Sequence, residues 1–294
     1  MKGTYLVALC SLAALVGGGQ AAAGPLEVRM MTFNIRNGRA NDGGDSWPHR
    51  QDHAAVVIRQ HAPDVLGLQE AFRFQIDDLS ANLAGFGEIG VGRDGGTNGE
   101  YSAILYRKEV LEVADSGTFW LSETPDHPSK SWDTACIRIC TWAQFRDRRT
   151  GRRFYVYNTH LDHRSQLARE RGIQSIATFA AGRDDNEPFV IMGDFNAGED
   201  NAVLKTLTGR EKNPAMPIRL VDTFREVHPD EKAVRTYHGF KGRTNGAKID
   251  YILVSPSAKT MAAAIIRTSR NGHYPSDHFP VTATVRFAAA QPAK

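Results

Sequence analysis

The sequence predicts an α/β or α+β sandwich, with sheets inside and helices outside. Three observations carry the prediction. Many short apolar or alternating runs have strand length and are bounded by turn residues. A few longer segments have helical spacing instead. Two of those helical segments lie between strand-like runs, the pattern of a crossover that returns the chain in the same direction.

Taken in order, strands fit near 27–34, 64–69, 101–107, 110–120, 135–146, 153–159, 188–193, 249–254, 260–268 and 280–287. Helices fit 48–61, 72–84, 164–181 and 200–208. The first has Ser46 as a cap, Pro48 near its first turn, and a stop before Pro63. The 164–181 segment repeats Leu167, Ile173, Ile176 and Phe179 at helix-compatible spacing. No internal repeat, low-complexity stretch or Pro/Gly/Ser-rich linker divides the chain, so residues 24–294 read as a single domain.

Residues 1–23 stand apart from this pattern. Lys2, an apolar stretch around Tyr5–Val16, Gly17-Gly18-Gly19 and Ala21-Ala22-Ala23 before Gly24 make the n-, h- and c-regions of a cleaved secretory signal. The apolar part is shorter than the roughly 20 residues a bilayer span needs. The expected location is therefore secreted or periplasmic, with no transmembrane segment in the mature chain.

The 294 residues are 41% hydrophobic and 23% charged with 27 glycines, which excludes collagen, disorder and coiled coil. Lys plus Arg number 36 against 33 Asp plus Glu, a formal charge of +3 that does not by itself indicate a nucleic-acid partner. Cys10 falls inside the leader. Cys136 and Cys140, four apart on a strand, would sit about 13 Å from each other, beyond disulfide reach. Two such cysteines make no zinc site.

The chemistry lies where strands stop. Residues 27–33 run into Asn34, Val65–Leu68 into Gln69-Glu70, Phe154–Thr159 into His160, and Phe189–Gly193 into Asp194-Phe195-Asn196. Asn34 and Glu70 flank the 48–61 helix, while His160 and Asp194 flank the 164–181 helix. Within each pair, a crossover places both carboxyl ends on one sheet edge, where α/β sheets hold their ligands. Several carboxylates, a carboxamide and an imidazole crowded there call for a cation or an anionic ligand. Asp250 begins the apolar run 250–254, and Asp277-His278 precedes the last strand. A buried Asp250 needs a partner, for which an imidazolium is suited.

Thr32-Phe33-Asn34-Ile35, Leu68-Gln69-Glu70, Asn158-Thr159-His160, Gly193-Asp194-Phe195-Asn196, Ile249-Asp250-Tyr251 and Ser276-Asp277-His278 together resemble the endonuclease/exonuclease/phosphatase superfamily, the group of deoxyribonuclease I, exonuclease III, neutral sphingomyelinases, inositol polyphosphate 5-phosphatases and deadenylases. The resemblance implies a four-layer α/β/β/α sandwich and Mg2+- or Mn2+-dependent cleavage of a phosphate ester. It implies Glu70 as principal metal ligand, with Asn34 close to metal or phosphate and Asp277 completing that environment. By the same resemblance Asp194 activates water, Asn196 holds a phosphate oxygen, and His278 serves as base or phosphate-binding cation fixed by Asp250. His160 resembles the histidine that contacts phosphate in the deoxyribonuclease branch, with Glu100 as the glutamate that orients it.

Departures from the family's patterns disfavour the inositol phosphatase and exonuclease III branches. Substrate readers are expected in loops 36–50, 121–134 and 233–247, with Trp47, Arg50, Trp132, Arg138, Trp142, His238 and Phe240 as candidates for stacking or pairing. For the tryptophans, core packing is equally open. For Arg138, a structural ion pair and phosphate binding are both open. Arg146, Arg148, Arg149, Arg152 and Arg153 straddle a hairpin turn at Thr150-Gly151, as a solvated tip or a polyanion contact. The expectation is a secreted, monomeric, metal-dependent phosphodiesterase or nuclease-like hydrolase. Its alternatives are a sugar- or lipid-phosphate phosphatase, sphingomyelinase-like activity included, and a catalytically silent binding module.

Overall fold

The computed structural model describes residues 24–183 and 187–288. The leader proposed over 1–23 lies outside the described residues. Two six-stranded sheets are present among the described residues, each with a strand–helix–strand crossover near its middle. In the first sheet, β1 (Leu26–Asn34) pairs in parallel with β2 (Val65–Gln69), and α1 (Trp47–His61) connects them. In the second, β7 (Arg153–His160) pairs in parallel with β8 (Phe189–Asp194) through α3 (Gln166–Ala181).

The remaining strands are β3 (Phe86–Ile89), β4 (Ile104–Arg107), β5 (Leu111–Trp120), β6 (Ile139–Asp147), β9 (Val221–Asp222), β10 (Asp250–Val254), β11 (Ala258–Ile265) and β12 (Val281–Phe287). They complete the orders β11-β12-β1-β2-β4-β3 and β5-β6-β7-β8-β10-β9. Helices α2 (Arg73–Asn82), α4 (Ala202–Leu207) and α5 (Thr223–Val227) complete the set.

The layers follow from period-2 alternation. Val28, Met30, Val65, Phe154, Val156, Val190, Met192, Ile252 and Val285 meet in one core between the sheets. The alternate residues Met31, Phe33, Leu66 and Leu68 pack outward with Trp47, Ile58, Ile76 and Leu79 of α1 and α2. On the far side, Tyr157, Ile191, Tyr251 and Leu253 pack with Ile173, Ile176 and Leu204 of α3 and α4. This is the four-layer α/β/β/α sandwich of the deoxyribonuclease I-like type. No helix among the described residues is long and apolar enough to cross a membrane.

The structure trims some expected elements. Ser46 occupies the α1 cap position, but its hydroxyl makes no cap bond, and Pro48 stiffens the first turn instead. Ser165 does cap α3, accepting from the Ala168 N–H. The strand expected over 135–146 starts at Ile139, because the Ala135 N–H goes to Asp162. The one expected over 101–107 shortens to Ile104–Arg107, with Tyr101 making isolated bridges to Ala71 and Gly92. Within α3, Ile173 and Ile176 are buried while Leu167 and Phe179 sit at the exposed margin of the apolar stripe. Cys136 and Cys140 are free thiols.

One buried polar group ties the sheets together. Asn158, on the inward face of β7, donates from Nδ2 to the carbonyls of Leu68 (2.9 Å) and Ala103 (2.8 Å). Its Oδ1 accepts from Gln69 Nε2 at 2.7 Å. Replacement by leucine would leave the Leu68 carbonyl without its donor and take one of two partners from the Ala103 carbonyl, which keeps the Leu68 N–H, and from Gln69 Nε2, which keeps the Thr32 hydroxyl; a buried group left unpaired costs about 1–3 kcal/mol. Asn158→Leu is expected to lower unfolding free energy by about 2 kcal/mol. Urea denaturation checks this, and a wild-type midpoint would remove Asn158 from the role.

Candidate active site

The alternation that makes the core also makes the site. Along the inward face, Val28 and Met30 are followed by Thr32 and Asn34; Val156 by Asn158 and His160; Val190 and Met192 by Asp194. The parallel strands thus turn polar at one edge. β10, antiparallel to β8, starts there with Asp250 directly opposite Asp194. Asp277 and His278 lie just before β12, which is antiparallel to β1. A close approach of β7 and β8 fixes this edge: Gly193 has φ +139°, and a Cβ there would lie 1.9 Å from the Thr159 carbonyl oxygen.

Asn34 sits between two acids, its Nδ2 donating to Glu70 Oε1 and Asp194 Oδ2, both at 3.0 Å. Its own oxygen accepts the Arg36 N–H at 3.0 Å. Glu70 Oε2 accepts the Asn37 N–H at 2.8 Å. His278 Nδ1 meets Asp250 Oδ2 at 2.9 Å, and its Nε2 lies 3.8 Å from Asp194 Oδ2. Asn196, in the left-handed region at φ 47°, donates from its backbone to Asp194 Oδ1 (2.9 Å) and from Nδ2 to His160 Nε2 (2.9 Å) and the Leu161 carbonyl (3.0 Å). Asp277 Oδ2 lies 3.7 Å from Arg36 Nε, and Asp42 holds that guanidinium through Nε and Nη2, both at 3.0 Å.

These neighbours set the charges. Burial opposes charge on His278, but Asp250 and Asp194 overcome it and hold the imidazole protonated. Burial and then the nearby Asp250 push Asp194 up to about 7, against the pull of His278 and the Asn196 N–H. Glu70 is held ionised: burial works against it, but His278, Asn34, the Asn37 N–H and Arg36 outweigh that cost. Burial and the proximity of Glu70 raise Asp277. Burial and then Arg138 keep His160 neutral. A carboxylate poised near neutrality beside a fixed imidazolium is suited to moving a proton on and off water.

The cleft over this cluster has a volume of about 570 Å³. Glu70, Asn196, Asp194, Asp277, His160 and His278 all border it, together with Arg138 and Glu100. Glu100 does not orient His160: its carboxylate is engaged by Arg93 and by Asn37 Nδ2. The structure leaves four expected substrate readers outside the cleft. Arg50 is spent on the carbonyls of Ile35, Asp45, Arg36 and Pro275. Phe240 lies beside that guanidinium. Trp142 packs on Phe179 and Tyr155 on the outer face of the second sheet. His238 stacks on Phe279 at 3.9 Å and lends its backbone N–H to the Asp277 carbonyl.

Trp47 is buried in the core against α2, and Trp132 borders a separate groove with Phe119 and Phe179. The arginine cluster surrounds the β6–β7 turn, at the opposite end of β7 from His160. There Arg148 and Arg152 bind the carbonyls of Lys108 and Phe287. Residues that sequence reasoning passed over, Arg36, Asn37, Arg93, His163 and Tyr237, do border the cleft. Arg36 and Asn37 had a signal, since they directly follow the strand that ends in Asn34.

Fold and site define a hydrolase of phosphoric esters. Residues 31–278 match the Endonuclease/Exonuclease/phosphatase family, and the chain belongs to it. A family protein from Bacteroides vulgatus is 35% identical, with 90% of this chain and all of that one superposing at a TM-score of 0.80. A mannosyl-6-phosphatase from Bacteroides thetaiotaomicron is 32% identical over 88% of this chain and 99% of its own, with a TM-score of 0.79. Nocturnin of Drosophila melanogaster is 26% identical over 86% of this chain, which spans 46% of that relative's length.

His238 supplies a stability test. Burial first, then the positive His278, push its imidazole down to about 4. The unfolded chain, with an ordinary value near 6.5, therefore takes up the proton first. The contribution of the neutral ring is full above pH 6.5 and is lost as pH falls toward 4. His238→Gln, which keeps an acceptor for the Gly242 N–H, is expected to flatten this acid loss by about 1–2 kcal/mol. Urea midpoints of both proteins at pH 7 and about 4.5 decide the matter, and parallel losses refute it.

Proposed function

We propose that this chain is an exported, Mg2+- or Mn2+-dependent phosphatase of a small polyhydroxylated phosphate monoester, a sugar phosphate. The observation that carries the reading is the cleft: a bounded space bordered by three guanidiniums, Arg36, Arg93 and Arg138, with Glu100 and Asn37 among them. Such groups hydrogen-bond hydroxyls and phosphate oxygens. A nucleic-acid diester would draw on stacking rings and the arginine cluster. Trp142 and Phe240 stand away from the cleft and the cluster lies at the far end of β7. The 32% identity to a mannosyl-6-phosphatase supports the same reading.

The donor set fits a hard divalent cation. Glu70 offers a carboxylate held ionised, and Asp277 offers a second across the cleft. Asn34 braces this set, its nitrogen donating to Glu70 and Asp194 and its oxygen accepting the Arg36 N–H. When bound, the cation neutralises charge on the phosphoryl oxygens. Asp194 takes a proton from the attacking water. Asn196 positions Asp194 through its backbone N–H and the His160 ring through its amide, and the His278 imidazolium, fixed by Asp250, offsets the charge that develops during transfer.

Metal-titrated assays should compare hexose 6-phosphates, p-nitrophenyl phosphate, bis(p-nitrophenyl) phosphate, DNA and RNA. Monoesters are expected to lead, with weak dependence on salt between ~50 and ~200 mM. Glu70→Ala is expected to raise the metal requirement. His278→Ala and Asp194→Asn should each cut turnover by about a hundredfold or more with the fold intact. Steep salt dependence with preferred diester cleavage would overturn the substrate class, and wild-type turnover in both variants would overturn the roles. Export predicts a mature amino terminus at Gly24, which mass spectrometry of the secreted or periplasmic protein reads directly; retention of residues 1–23 refutes it.

A further inference from the structure

A small recess opens off the cleft beside His160, bordered by Arg93, Glu100, Ser102 and Arg138. Arg93, Glu100, Arg138 and His160 border both spaces, so a molecule seated in the cleft reaches the recess. Its volume of about 10 Å³ admits a single oxygen-sized group.

Two buried nitrogens on this wall have no hydrogen-bond partner. Arg138 is 6% exposed and its Nε is unpartnered, while its Nη2 meets His163 Nδ1 at 3.2 Å. Asp162, 3.8 Å from that Nε, is already committed to the Thr134 hydroxyl and to the N–H groups of Ala135, Arg164 and Ser165. His160 is 8% exposed. Its Nε2 accepts from the Asn196 amide, which places the ring proton on Nδ1, and Nδ1 is unpartnered. A buried donor left unpaired is costly, so two on one wall call for an acceptor. Glu100 faces the same space with spare lone pairs on a carboxylate that Arg93 and Asn37 hold in place.

We propose that this recess is a hydroxyl subsite: one sugar hydroxyl accepts from Arg138 Nε–H and His160 Nδ1–H and donates its own proton to Glu100. The proposal rests on the sugar-phosphate reading above and deepens it by naming the groups that select the sugar. An anion in the recess would meet the Glu100 carboxylate, and an apolar group would leave both donors unpaired. A site built in this way discriminates strongly against an analogue that lacks the hydroxyl.

The test is steady-state kinetics on the protein with a hexose 6-phosphate, its ring-deoxy analogues and p-nitrophenyl phosphate. One deoxy analogue is expected to lose tenfold or more in kcat/KM against its parent, mainly through KM. Arg138→Met and Glu100→Gln should each lose a comparable factor on the parent sugar and little more on that deoxy analogue. Their loss on the parent should exceed their loss on p-nitrophenyl phosphate by about tenfold. Glu100→Gln keeps an acceptor for one of the two donors, Arg93 and Asn37, that hold the separate carboxylate oxygens, and melting temperatures establish that both variants are folded. Equal losses on sugar and nitrophenyl esters would assign Arg138 to the scissile phosphate or to the fold and overturn the subsite. Deoxy analogues turned over as well as their parents would overturn it too, while leaving the phosphatase reading intact. A wild-type protein that hydrolyses neither monoester with any divalent cation would refute the phosphatase reading and the subsite with it.

Discussion

The buried carboxamide of Asn158 is the constraint on which the site's geometry depends. The apolar surface between the sheets attracts without direction, so it does not by itself fix how one sheet lies on the other. Three hydrogen bonds from one side chain to Leu68, Gln69 and Ala103 do, because they are satisfied in one register only. Leu68 and Gln69 immediately precede Glu70, and Asn158 is two residues before His160. The tie therefore sets the ends of β2 and β7 against each other, and Glu70 and His160 face one cleft as a result.

Charge burial explains why the two sheets act as a unit. His278 arrives from the first sheet and Asp194 and Asp250 from the second, yet they form one cluster of directly interacting groups. Separating the sheets would leave an imidazolium or two carboxylates without partners, and each such loss is expensive in a dry interior. The other two acids, Glu70 and Asp277, face the cleft, a donor pair of the kind that suits a hard divalent cation. Asn34 reconciles the two parts of the site: its amide donates to an acid of each group, holding Glu70 and Asp194 apart at fixed distance.

Most of this was legible in the sequence because one periodicity carries both core and chemistry. Inward positions of β1, β7 and β8 change from apolar to polar near their last residues, and the crossovers tell which ends lie together. What was hidden depends on partners far away or on very short elements. β3, β9 and α5 have four, two and five residues, too few to show a period. Glu100 was expected to meet His160, but the loop over 92–101 turns it onto Arg93. Arg50 and Trp142 have the residue types of substrate readers. A guanidinium satisfied by four backbone carbonyls, and an indole packed on two rings, look the same in sequence as their functional counterparts.

The two histidines of the cleft show how one edge supports two kinds of work. His278 lies between carboxylates and keeps its proton; His160 lies between an amide donor and a guanidinium and stays neutral. The first contributes charge, which suits the transfer of an anion. The second contributes direction: its Nε2 accepts from Asn196, and its Nδ1 is buried in the ring that borders the recess with Arg138 and Glu100. Exchanging their neighbours would exchange their roles, since nothing in an imidazole itself distinguishes them. One strand edge thus keeps one imidazole charged and the other neutral, and Arg93 and Asn37, by holding the Glu100 carboxylate, leave the His160 Nδ1 without it.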